Sequence, residues 1–101
     1  MKKMMNDTVT IRYNNRNIEL NYSNIGEYEP ILKYNLSIVK ASGEGDYDKA
    51  EQEAQLYLIK NALNKSTHFH KLEKIVGITQ NIIYSEKGEV KIILEGFGVF
   101  Q

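Results

Sequence analysis

Residues 42–64 read SGEGDYDKAEQEAQLYLIKNALN, and the division of this stretch decides the fold. Ser42-Gly43-Glu44-Gly45 closes an alternating run, and its two glycines are expected to break that strand. Asp46 suits a helix N-cap, because its carboxylate can accept from an amide of the first turn. Asp48 and Glu51 fall in the first turns, where the helix dipole favours negative charge. A helix is predicted from Tyr47 to about Asn64. On a helical wheel, Tyr47, Ala50, Ala54, Tyr57, Leu58 and Ala62 form one apolar arc. Leu56, Ile59 and Leu63 form a second arc on the roughly opposite side. Only Lys49, Glu53 and Lys60 make a uniformly charged stripe. A helix lying on one sheet needs one apolar face. The second arc, Leu56, Ile59 and Leu63, must be covered by the chain's own loop, by extra strands or by another subunit, and of these an oligomer interface is the assignment.

Strand periodicity surrounds this helix. Val9, Ile11 and Tyr13 alternate with Thr8, Thr10 and Arg12, the pattern of a half-buried strand. Asn14-Asn15-Arg16-Asn17 reads as a hairpin turn, since asparagine tolerates left-handed backbone. Ile18, Leu20 and Tyr22 mark the return strand. A loop from Ser23 to Pro30 leads to a third strand from Ile31 to about Ala41, with Leu32, Tyr34, Leu36 and Ile38 on its apolar face. After the helix, Ser66 to Lys74 is a polar connection. The fourth strand runs from Ile75 to Tyr84, with Val76, Ile78, Ile82 and Tyr84 on one side. Glu86-Lys87-Gly88-Glu89 is a second hairpin turn, and the fifth strand runs from Val90 to Phe100. The fold class is α+β, in the order β-β-β-α-β-β. Inserting the fifth strand between the third and fourth avoids crossings and predicts a mainly antiparallel sheet of order 1-2-3-5-4, with one helix on one face.

Composition narrows the function classes. The 101 residues are 42% hydrophobic and 26% charged, as in an ordinary globular domain. A single domain over 1–101 is expected, with residues 1–7 disordered. Lys+Arg and Asp+Glu are 13 each, giving a net charge of zero. No polycation suited to a nucleic-acid backbone is present. Cysteine is absent, which excludes disulfides, thiolate zinc sites and cysteine nucleophiles. No apolar run approaches a membrane span. The opening Met1-Lys2-Lys3-Met4-Met5-Asn6-Asp7 has no apolar core of a signal peptide, and Met1, Met4 and Met5 are all candidate starts. A cytoplasmic location is expected. Eleven lysines against two arginines match AT-rich coding, as in many Gram-positive bacteria and their phages.

Reactive motifs are sparse. His68 and His70 flank Phe69, and in extended backbone both imidazoles point one way. Two neutral ligands fall short of a usual metal set, so a solvated loop is the favoured account and no metal is assigned. The glycine turn before the helix carries Glu44, Asp46 and Asp48 where a phosphate would need positive charge, and no P-loop lysine follows. Asp46, Asp48, Glu51 and Glu53 spread around the wheel rather than converging as an acid–base pair. No catalytic residue is assigned and the chain is not expected to be an enzyme. Tyr34, Tyr57 and Tyr84 are candidates for stacking on a planar ligand, against the commoner use of tyrosine in packing. The cofactor is left unassigned.

The segment from Tyr34 to Phe100 resembles a known unit. A strand, the Ser42-Gly43-Glu44-Gly45 turn, an alanine-containing helix, KIVGITQNIIYS, EKGE and VKIILEGFGVF follow one another as in the β-α-β-β unit of dodecins and YbjQ-like proteins. Val76-Gly77-Ile78 and Gly96-Phe97-Gly98-Val99 occupy places similar to the glycine motifs of the YbjQ-like pattern. The resemblance implies a cyclic or shell-like homo-oligomer. Dodecins stack flavin on tryptophan; this chain has none, so flavin binding does not carry over. A double-stranded-RNA-binding domain has a similar glycine turn and alanine-rich helix, but its phosphate-gripping lysines are replaced here by Asp46, Asp48, Glu51 and Glu53. Two functions are thus expected: a non-catalytic homo-oligomer that binds or sequesters a small ligand, or a small interaction module that binds and inhibits a partner protein. Neither nucleic acid nor membrane is an expected partner.

Overall fold

The structure, a computed structural model, describes residues 7–22, 35–66 and 71–100. Its elements are β1 (Asp7–Tyr13), β2 (Arg16–Tyr22), β3 (Asn35–Gly45), α1 (Tyr47–Leu63), β4 (Leu72–Tyr84) and β5 (Val90–Phe100). Asn14 and Asn15 adopt φ values of 49° and 64° in the β1–β2 turn, the left-handed pair of a tight hairpin whose twist suits the flanking strands. Asp46 caps α1, its Oδ1 accepting from the Lys49 amide at 2.9 Å. Of residues 1–7, only Asp7 is described, and it lies in β1 rather than in a disordered tail.

The five strands form one sheet of order β1-β2-β4-β5-β3, and α1 packs mainly over β3 and β5. The fold is α+β, and β5 does lie between β3 and β4. The predicted order 1-2-3-5-4 needs correction in one respect. The β1–β2 hairpin joins β4, in parallel through Glu19↔Lys74 and Leu20↔Ile75, so the sheet is mixed and β3 is an edge. Two observations explain this. Ile75, Val76 and Ile78 of β4 are all buried, as suits an interior strand. The free side of β3 is occupied by side chains from the helix and its C-terminal turn. Asn61 Nδ2 donates to the Lys40 carbonyl at 2.9 Å, Lys65 Nζ donates to the Ile38 carbonyl at 2.9 Å, and Glu53 Oε1 accepts from the Glu44 amide at 3.4 Å.

β3 also runs further than expected. It passes through Ser42 and both glycines to pair Gly43 with Ile92 and Gly45 with Val90. Gly43 does not break the strand; it admits the helix. A β-carbon there would lie 2.2 Å from the Ala50 carbonyl oxygen and 2.7 Å from the Ala54 nitrogen. The buried face of β3 is Val39, Ala41 and Gly43, while Ile38 points to the opposite side and is 60% exposed. Tyr34 and the first residues predicted for this strand lie outside the described residues.

In β4, the register shifts between Val76 and Thr79, and Gly77 has φ 63°. One extra residue there is a bulge. It moves Val76 to the outer face, away from the face that Ile82 and Tyr84 share with Leu94 and Val90 of β5 and, through them, with Ala41 and Gly45 of β3. Periodicity across the whole strand had joined Val76 to Ile82 and Tyr84.

Gly43→Ala is expected to destabilise the fold by about 3 kcal/mol or more, as overpacking against backbone cannot relax through a side-chain rotation. The measurement is the urea midpoint at unchanged m-value. A variant as stable as the parent would show that strand and helix can part without loss.

Candidate functional site

The helix has four i, i+4 stripes with different environments. Ala50, Ala54, Leu58 and Ala62 are buried over the sheet. The small residues let the backbone settle close to β3 and β5. Glu53, Asn61 and Lys65 follow the β3 edge. Gln52, Leu56 and Lys60 face solvent. The fourth stripe is Tyr47, Glu51, Gln55, Ile59 and Leu63. Its second half joins the hydrophobic core, while its first half is polar and at least half-buried.

That polar half meets β2 and β4. Gln55, 5% exposed, donates from Nε2 to the Tyr22 hydroxyl at 3.0 Å, and Tyr22 itself is 3% exposed. Gln80 donates from Nε2 to the Tyr47 hydroxyl at 3.2 Å. Glu51 bears on both rings. Burial pushes the Tyr22 phenol up to about 12, the Gln55 hydrogen bond opposes that rise, and the Glu51 charge adds to it. Burial likewise raises Tyr47, with Gln80 opposing and Glu51 adding. Glu51 Oε2 and Gln80 Oε1 are buried with no hydrogen-bond partner. Such acceptors normally find one, and leaving one unmet costs about 1–3 kcal/mol. Tyr22, Tyr47, Glu51, Gln55 and Gln80 therefore form a polar cluster, a recess in the apolar layer between helix and sheet rather than a cavity, with two acceptors to spare.

The residues expected from sequence are placed elsewhere. Tyr57 is on the outer side of the helix, 47% exposed, beside Leu56 in an open groove with Lys49, Gln52 and Glu53. Tyr84 is 70% exposed and close enough to Tyr47 to raise its pKa. Tyr47 precedes Tyr57 by ten helical residues, about 15 Å along the axis, so Tyr57 and Tyr84 do not share one small ligand. Tyr34, His68 and His70 lie outside the described residues. Among the described residues, no group of three or more His, Cys, Asp or Glu could hold a metal ion, and no helix is long and apolar enough to cross a membrane.

The assignment of Leu56, Ile59 and Leu63 to an interface also changes. Ile59 is 0% exposed within its own chain, and Leu63 packs against the core. The helix turns this flank toward β2 and β4, so a single sheet with its hairpin shelters more of the wheel than two opposed arcs suggest. Only Leu56 remains at the surface. The recess was passed over because Glu51 read as one of four spread carboxylates. The available signal was the spacing Tyr47, Glu51, Gln55, which continues in register into Ile59 and Leu63.

Comparison with protein-family models, with curated proteins and with solved structures finds no match.

Tyr22 makes a pH prediction. The unfolded phenol releases its proton near its ordinary value of 10.0, whereas the folded one holds it to about 12. Its contribution is thus intact below pH ~10 and declines as pH rises between the two values. Urea unfolding at pH 9 and pH 11 is expected to show a larger drop for the parent than for Tyr22→Phe. Equal drops would place the phenol in contact with water.

Proposed function

We propose that this chain is a non-catalytic protein that binds and holds a small molecule at the Tyr22–Tyr47–Glu51–Gln55–Gln80 recess. The observation that carries the reading is the pair of buried, unpartnered acceptors, Glu51 Oε2 and Gln80 Oε1. A ligand suited to them presents N–H or O–H groups, and the Glu51 charge favours an ammonium or amide over an anion. Glu51, Gln80 and Tyr47 are only half-buried, and their exposed side is where a small solute would enter. Catalysis would need a reactive group with a partner positioned to move a proton; here the Gln55 and Gln80 amides donate to the Tyr22 and Tyr47 hydroxyls, bonds that position the rings.

The test is native mass spectrometry of untreated protein, followed by thermal shift with small amines and amides. A copurifying mass, or a rise in Tm that Glu51→Leu removes, is expected. Glu51→Leu is also expected to stabilise the ligand-free chain by about 1–3 kcal/mol, because it deletes an unmet buried acceptor. A bare chain, no shift with any donor ligand and a destabilised Glu51→Leu would together reduce the recess to a water site.

A second reading, an interaction module, is favoured by a separate observation. The outer sheet face sets the 60% exposed Ile38 opposite the half-buried Phe97, with the pair Lys40–Glu95 in the next row and Ile93 in the row beyond it. Ile38→Lys should leave stability within about 0.5 kcal/mol while abolishing capture of any partner protein that the parent retains. Undiminished capture would exclude this face.

A further inference from the structure

The two edges of the sheet are treated differently. The outward side of β3 is bonded at Ile38, Lys40 and Glu44 by Lys65, Asn61 and Glu53, a common way of keeping an edge from pairing with another chain. On β1, among the described residues, the side-chain bonds Arg12 to Asn17 and Asn21 to Thr8 both stay inside the hairpin. Among the described residues, no strand pairs with its outward side.

The hairpin register says which groups that side presents. Tyr13↔Arg16 closes a two-residue turn, so Tyr13, Ile11 and Val9 exchange backbone hydrogen bonds with β2. The amides and carbonyls of Thr8, Thr10 and Arg12 then point away from the sheet.

We propose that a second copy of this chain docks on this edge, β1 antiparallel to β1 about a two-fold axis through Thr10, making a continuous ten-stranded sheet. The strand is complementary to itself in that register. Thr10 meets Thr10, Thr8 meets Arg12, and Val9 meets Ile11 of the other copy. Threonine pairs and β-branched apolar pairs are favourable cross-strand neighbours. In this register Arg12 of one copy is set opposite Thr8 of the other, well away from its own symmetry mate. Val9 and Ile11 already pack against the core, and their pairing carries the apolar layer across the axis. An isologous contact of this kind closes at two copies. It does not require the recess to be filled.

The experiment is light scattering and amide hydrogen exchange on the full chain over a concentration series. The expected result is a mass rising from one chain to two, with protection growing at Thr8, Thr10 and Arg12. Thr10→Lys sets like charges directly opposite at the axis while leaving the bonds to β2 intact, and should weaken association about five-fold or more. Exchange on the parent keeps the test decisive even if that variant folds poorly. A chain that stays single to ~1 mM, where association is worth only about 4 kcal/mol, overturns the proposal. So does a dimer whose protection appears on β3, a dimer insensitive to Thr10→Lys, or β1 protection that arises only with another protein.

Discussion

The contact on which the structure depends is the approach of α1 to β3 at Gly43. No side chain separates the strand from the backbone of Ala50 and Ala54. This closeness fixes the rotation of the helix about its axis, because Ala50, Ala54 and Ala62 must lie against the sheet. Every other helical side chain then has its direction set by the 3.6-residue turn. One flank reaches the β3 edge with Glu53, Asn61 and Lys65. The other reaches β2 and β4 with Gln55, Ile59 and Leu63. The edge bonds and the polar recess are two results of one packing constraint.

The same constraint separates what the sequence makes legible from what it hides. Local signals were readable: the Asn14-Asn15 turn, the Asp46 cap, the helix span and the bounds of β5. Each depends on residues within a turn or two of one another. The attachment of the β1–β2 hairpin was not readable, because it depends on which sheet edge remains free after the helix has docked. Ile38 shows the limit well. Alternation separated it from Val39 as the other side of a strand but could not say that this side is the outer one. Gly43 was seen as a break because a glycine that ends a strand and a glycine that admits a helix look alike in sequence.

The recess was hidden for a related reason. Glu51 and Gln55 are ordinary helix residues by type, and only the tilt of the helix shows that they face Tyr22 and Gln80 rather than water. Their burial has an energetic meaning. A core assembled for stability alone would place apolar residues on this stripe from Tyr47 to Leu63, as it does at Ile59. Retaining there a carboxylate that, like the amide of Gln80 across from it, has an acceptor unfilled is costly, and such departures from local consistency gather where a surface has work beyond folding.

The parallel seam between β2 and β4 has a further consequence. It consists of two residue pairs joining parts of the chain 55 positions apart, Glu19 with Lys74 and Leu20 with Ile75, reinforced by Arg16 reaching the Leu72 carbonyl at 2.6 Å. By contrast, β5 is laddered along its length to both neighbours. So short and non-local a seam supplies few ladder bonds, and the hairpin is held chiefly by the burial of Ile18, Leu20 and Tyr22 in the core. Tyr22 rides on the detachable hairpin while Tyr47, Glu51, Gln55 and Gln80 stay with the helix and β4. Partial, reversible peeling of that hairpin would uncouple Tyr22 from Gln55 with the remaining three strands and helix intact, giving the chain a sub-global open state that differs from the closed one chiefly at the recess.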